Sequence, residues 1–140
     1  MLTNNELQQR LAKEYSYAVA KMQEATQPAQ KLYYFSVFFG EVQRILNSEW
    51  NRDLVIIHSV TSYVYKQIST ALADPSQGIP RDWKNVFEAF TKASAELAAY
   101  VLKNEDNKEE LLRILERFAE IAYGVSGNGS YLIEKGAFRL

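Results

Sequence analysis

The chain has 140 residues, of which 47% are hydrophobic and 24% charged, a composition typical of one globular domain spanning residues 1–140. Its formal net charge of −1 provides no overall field that would attract nucleic acid or an anionic membrane surface. The sequence has no cysteine, which excludes disulfides, thiol catalysis and thiolate metal sites, and we therefore expect a cytoplasmic protein.

Two amphipathic helices are predicted in the first third of the chain. Thr3 and Glu6 form a capping-box pattern, after which apolar residues recur at spacings of three and four up to about Ala25. Pro28 suits the first turn of a second helix, because its missing N–H has no intrahelical partner at that position. The apolar stripe of this second helix continues to Leu46.

A row of aromatic residues in the second helix predicts a surface for a homo-oligomer, most simply a dimer, or for a larger complex. Apolar residues cover more of this helix than the arc of ~100° that an ordinary surface helix buries. The predicted interface combines this row with an apolar run near the C-terminus, and it consists of Tyr34, Phe35, Phe38, Phe39, Tyr131, Leu132 and Ile133.

The third predicted helix begins after Ser48 or Asn51, either of which can cap it. Its stripe includes Trp50 and runs to Leu72, and we expect the Trp50 ring to be buried. Many residues in this segment are β-branched and would also suit strands. The helical spacing persists for more than twenty residues without a turn signal, however, and this favours a helix.

Two further helices and a C-terminal arm complete the predicted fold. A loop at 74–80 precedes a helix that begins near Arg81 or Asp82 and buries Trp83. Asp106 and Glu109 form a second capping-box pattern before the fifth helix. Glycines are concentrated from residue 124 onwards, so we expect residues 126–140 to form a non-helical arm that docks on the bundle. The predicted fold is all-α: a mostly antiparallel bundle of four long helices plus a fifth, with this short arm.

Metal and cofactor sites are not predicted. The chain has one histidine, His58, and no Glu-x-x-His pair of the kind found in carboxylate-bridged metal bundles. Glu14 and Glu41 are the carboxylates nearest the apolar stripes, and we expect both at the stripe edges. Arg44, one turn after Glu41, is the predicted partner of that carboxylate.

One short motif resembles a known family. Arg52 and Asp53 are followed by a four-residue gap and His58, and this arrangement is similar to the Arg-x(4–6)-His motif of HEPN-domain ribonucleases. The resemblance implies a small helical dimer in which Arg52 and His58 act on the RNA phosphodiester and Asp53 helps to position them.

The helical spacing gives a different interpretation of the same residues. Six residues turn a continuous helix by about 240°, so Arg52 and His58 would point to different faces. On this interpretation His58 is a boundary residue at a helix interface with no catalytic task. We therefore expect a non-enzymatic helical interaction or assembly module, with a HEPN-like ribonuclease or toxin as the alternative.

Overall fold

The computed structural model describes residues 1–73 and 83–126, in which six α-helices and no β-strand occur. The helices are α1 (Asn5–Glu24), α2 (Pro28–Phe35), α3 (Val37–Leu46), α4 (Arg52–Ala73), α5 (Trp83–Lys103) and α6 (Lys108–Val125). The all-α bundle is confirmed, with the second predicted helix divided into α2 and α3. The predicted loop at 74–80, the helix start near Arg81 or Asp82, and the arm after Ser126 lie outside the described residues.

The division between α2 and α3 occurs at Ser36. The Ser36 hydroxyl donates a 2.6 Å hydrogen bond to the Tyr33 carbonyl, and its backbone N–H is shared between the Leu32 and Tyr33 carbonyls. Such back-bonding by a serine tightens a helical turn locally and bends the helix. Ser36 keeps right-handed helical dihedral angles, so the chain continues in the same general direction into α3.

Asparagine side chains cap three of the helices. Asn4, Asn51 and Asn107 each accept a hydrogen bond from the backbone N–H three residues later, at 3.0 to 3.1 Å. The predictions of Thr3 and Asp106 as the caps of α1 and α6 were therefore wrong by one residue. Thr3 instead donates to the Glu49 carboxylate, because the start of α1 lies against the α3–α4 connection.

The packing is mostly antiparallel and gives the bundle two distinct ends. Gln8, near the start of α1, donates to the Val101 carbonyl near the end of α5. Lys103 pairs with Glu110 in the same way across the short turn between α5 and α6. The C-terminal end of α1 therefore lies beside the N-terminal ends of α2 and α5, and we call this the groove end of the bundle.

One continuous core runs through all six helices, from Leu2 to Val125. Phe35 lies at its centre, with ring centroids 4.3 Å from Phe90, 5.1 Å from Phe38 and 5.7 Å from Phe118. These contacts join α2 and α3 to α5 and α6. None of the described helices combines the length and the apolar character that a bilayer-spanning segment needs.

Trp50 is exposed, contrary to the prediction that it begins the buried stripe of α4. The ring lies in the connection before α4 and is 77% exposed. Asn51 caps α4, so the helix begins after Trp50. The regular helical spacing of the buried residues therefore does not include Trp50. Trp83 is half-buried at the start of α5 and contacts Phe87.

We expect the substitution Trp50→Ala to lower the free energy of unfolding by less than about 0.5 kcal/mol, because exposed side chains lose little contact on truncation. Urea denaturation followed by circular dichroism measures this change. A loss above about 1 kcal/mol would mean that the ring packs against the protein in solution.

Candidate binding groove

A groove of about 710 Å³ lies at the groove end, between α5 and the α1–α2 connection. Its volume lies within the range of ~300–1,000 Å³ that is usual for binding sites. The lining residues on α5 extend from Trp83 to Ala95. At 1.5 Å per residue, the groove follows α5 for about 18 Å.

The floor of the groove is formed by one face of α5. Trp83, Phe87, Thr91 and Ala95 are spaced by four residues, so they form a row along α5 that shifts around the helix axis by about 40° at each step. Phe87 is buried, and the other three are half-buried. The opposite wall comes from Gln23, Thr26, Pro28 and Lys31 at the end of α1 and the start of α2. The floor thus offers the aromatic surface of Trp83 and Phe87 and the small apolar Ala95, together with the buried hydroxyl of Thr91, which is unpaired within the described part of the chain.

The rim of the groove is charged. Lys84, Glu88 and Lys92 follow one another at intervals of one turn on α5, and all three are exposed. Lys31 adds a further cation on the opposite wall. The groove therefore has three lysines and one glutamate, whereas the whole chain has a net charge of −1. This local excess of positive charge favours ligands with negative charge.

Lys31 links α2 to the end of α1. Its Nζ atom donates a 2.7 Å hydrogen bond to the Met22 carbonyl in the last turn of α1. A lysine at this position complements the free carbonyls of a helix C-terminus. Partial burial lowers the pKa of the Lys31 ammonium from its usual value. An anion bound in the groove would oppose this effect, because a negative charge favours the protonated amine.

The predicted interface residues on the second helix are distributed between core and surface. Phe35 and Phe38 have no exposed surface, so the core of one chain already occupies both rings. Tyr34 and Phe39 are half-buried. Tyr131, Leu132 and Ile133 lie outside the described residues. The breadth of the apolar stripe is explained by the contacts that α2 and α3 make with both α1 and α4.

Arg52, Asp53 and His58 do not form a cluster in this chain. Arg52 is the first residue of α4 and is exposed, whereas His58 is half-buried with its ring edge-on to Phe39 at 6.4 Å. Because α4 is continuous from Arg52 onwards, the helix turns by about 240° between the two residues, which leaves their side chains about 120° apart. Among the described residues, no hydrogen bond or ion pair joins Arg52 or Asp53 to His58.

Glu41 was predicted to lie at the edge of the apolar stripe, but it is buried. It is 4% exposed on α3, facing α1. Arg10 Nε lies 2.7 Å from one carboxylate oxygen, and the predicted partner Arg44 lies 3.5 Å from the other.

Burial, followed by the nearby Glu41 charge, raises the pKa of the Tyr15 hydroxyl well above its usual value. The hydroxyl donates to the Phe38 carbonyl, so this cluster fastens α1 to α3. Glu14, the other carboxylate considered, is half-buried.

No group of three or more histidine or acidic side chains suited to a metal ion occurs in residues 1–73 and 83–126. Comparison of this chain with protein-family models, with curated proteins and with solved structures finds no match. The functional interpretation therefore depends on the chemistry of the surface itself.

The groove was not predicted from the sequence. Part of the signal is present in the sequence, since Lys84, Glu88 and Lys92 alternate in sign beside the apolar positions Trp83 and Phe87. The pattern on one helix cannot show that the neighbouring helix stands far enough away to leave a cleft. That separation depends on how the α1–α2 turn packs against α5, which is a tertiary property.

Proposed function

We propose that this protein is a non-enzymatic helical binding module, and that its ligand occupies the groove between α5 and the α1–α2 connection. The ligand presents apolar surface to the floor and negative charge to the rim. The observation that carries the proposal is the coincidence of an aromatic floor with three lysines in one groove. Apolar surface with a few fixed polar groups is the usual composition of binding sites.

Fluorescence provides a direct test, because the chain has two tryptophans and only Trp83 lines the groove. Trp50 is at the other end of the bundle, next to Asn51, which bonds to the Met1 carbonyl. In the Trp50→Phe variant, all tryptophan emission comes from Trp83. We expect the anionic apolar dye anilinonaphthalene sulfonate to bind this variant with one-to-one stoichiometry and to quench Trp83.

The expected effect of the rim charges is a weakening of dye binding by roughly 5- to 30-fold in the double variant Lys84→Glu/Lys92→Glu, which corresponds to about 1–2 kcal/mol. The matched control Lys13→Glu/Lys108→Glu makes the same change in net charge at exposed positions outside the groove and leaves binding unchanged. Two results would contradict the proposal. One is equal binding of the dye to both double variants. The other is quenching of Trp50 in a Trp83→Phe variant that is as strong as the quenching of Trp83.

The ribonuclease alternative has weaker support. It needs Arg52 and His58 to converge on one phosphodiester, and the continuous helix from Arg52 holds them on different faces of α4. A catalytic pair of that kind would require a second subunit to bring the two side chains together. Loss of an RNA-cleaving activity on His58→Ala substitution would decide in favour of the ribonuclease.

Oligomerisation through the second predicted helix stays a prediction. Burial of Phe35 and Phe38 limits the available surface to the half-buried rings Tyr34 and Phe39 and to the exposed Tyr33. This is a smaller apolar surface than the sequence pattern indicates. Sedimentation at high micromolar concentration measures whether it supports a dimer.

A further inference from the structure

The groove has a repeat along its length. Its floor positions recur every four residues on α5, over about three turns. Trp83, Phe87 and Ala95 present apolar surface, and Thr91, between Phe87 and Ala95, adds a buried hydroxyl without a hydrogen-bond partner among the described residues. A ligand that matches this repeat needs apolar groups at the same interval of ~5–6 Å. An amphipathic helix has this interval, because its i, i+3 or i+4, and i+7 side chains lie on one face.

The rim repeats with the same interval and alternates in charge. Lys84, Glu88 and Lys92 have the i, i+4 spacing at which helical side chains can pair with each other. None of the three forms an ion pair with another described residue. Their charges are therefore available to a ligand, in the order positive, negative, positive.

We propose that the groove binds an amphipathic helix of about three turns from a partner protein, and that the flank of this helix along the rim carries acidic, basic and acidic residues one turn apart. The apolar face of the helix packs on Trp83, Phe87 and Ala95. The opposite flank faces Lys31, which adds a position for a further acidic residue. A helix in a hydrophobic groove is a common mode of peptide recognition.

This inference deepens the proposed function and depends on it. An acidic–basic–acidic order complements the rim at each turn. A basic–acidic–basic order, in which every sign is reversed, places like charges opposite one another at all three positions. Juxtaposed like charges across an interface select strongly against the wrong partner. The rim charges therefore determine which helices bind, and the floor provides most of the contact area.

The test uses three synthetic 13-residue peptides with the same apolar face. The first peptide has the acidic–basic–acidic flank. The second, the reversed peptide, has every sign reversed and so carries a basic–acidic–basic flank. The third is the first peptide with a central proline that prevents helix formation. With the Trp50→Phe protein, we expect the first peptide to change Trp83 emission with one-to-one stoichiometry and to gain helical circular dichroism. The reversed peptide should bind at least about tenfold more weakly, as should the proline peptide.

A charge-swapped protein is the decisive control. The triple variant Lys84→Glu/Glu88→Lys/Lys92→Glu should prefer the reversed peptide, so the order of the two affinities inverts. These positions are exposed, and circular dichroism of the variant checks that it folds. Equal binding of both peptides, no inversion, or tight binding of the proline peptide would overturn the inference. If the dye binds in the groove but no peptide binds, the helix inference is wrong and the proposed function still stands. If neither the dye nor any peptide binds, both the helix inference and the proposed function are wrong.

Discussion

Replacement of Phe35 by alanine is expected to lower the free energy of unfolding by about 3–5 kcal/mol, the largest effect predicted for any single residue of this protein. Phe35 is fully buried, and its ring contacts aromatic rings from α3, α5 and α6. Truncation removes the apolar surface and leaves a cavity where these helices meet. Rings on three rigid helices cannot close such a cavity without moving the helices, so little of the loss is recovered.

Urea denaturation measures this change, and Tyr33→Ala is the matched control on the same helix. Tyr33 is 71% exposed, so its truncation should cost less than about 0.5 kcal/mol. Phe35→Leu, which keeps most of the volume, should cost about 1.5 kcal/mol or less. A loss below about 1 kcal/mol for Phe35→Ala would mean that α2 does not pack against α5 and α6 as described.

The second largest effect is expected for Arg10→Ala, at about 1–3 kcal/mol. The Glu41 carboxylate is almost entirely buried, and the Arg10 guanidinium is the nearer of its two cationic neighbours. Removal of Arg10 leaves a buried negative charge with only the more distant Arg44. The cost is smaller than for a pair that is fully enclosed, because the Arg10 side chain is 51% exposed and water can enter where it stood.

Arg44→Ala is the control for this prediction. It also removes a cation from Glu41, but the Arg44 side chain is 74% exposed and lies 3.5 Å away, so the expected loss is under about 0.5 kcal/mol. Adding Glu41→Gln to the Arg10→Ala protein should recover at least half of the lost stability, since the buried charge is then gone. If the two arginine variants unfold at the same urea concentration, Glu41 does not depend on Arg10.

Several features of the fold could be predicted because they depend on neighbours along the chain. The stripes of Leu11, Tyr15 and Met22 in α1, and of Leu54, Ile57 and Val64 in α4, are buried as their spacing indicates. Caps were predicted to within one residue, since asparagine, threonine and aspartate can all accept from the first turn. The local sequence cannot decide between adjacent candidates such as Thr3 and Asn4. Here Glu49, 46 residues away, binds Thr3 and leaves Asn4 to the helix.

The functional features were harder to predict, because each depends on residues far apart in the sequence. Glu41 has the same local pattern as a surface charge, and only the approach of Arg10 from α1 makes its burial possible. The motif of Arg52 and His58 suggested a shared site, but the start of α4 at Arg52 fixes the angle between them. Lys84 and Lys92 were not predicted to have a function, since lysines on a helix are usually solvated.

The sequence by itself determined the all-α class, the positions of most helices and most of the apolar face of each, because hydrophobic periodicity and capping act over a few residues. Tertiary structure alone decided which faces meet. It placed Phe35 and Phe38 inside one chain, where the sequence suggested a surface, and it left Trp50 in solvent. It also opened the groove beside Trp83, because the space between α5 and the α1–α2 turn depends on the packing of whole helices against each other, and no single helical pattern encodes that distance.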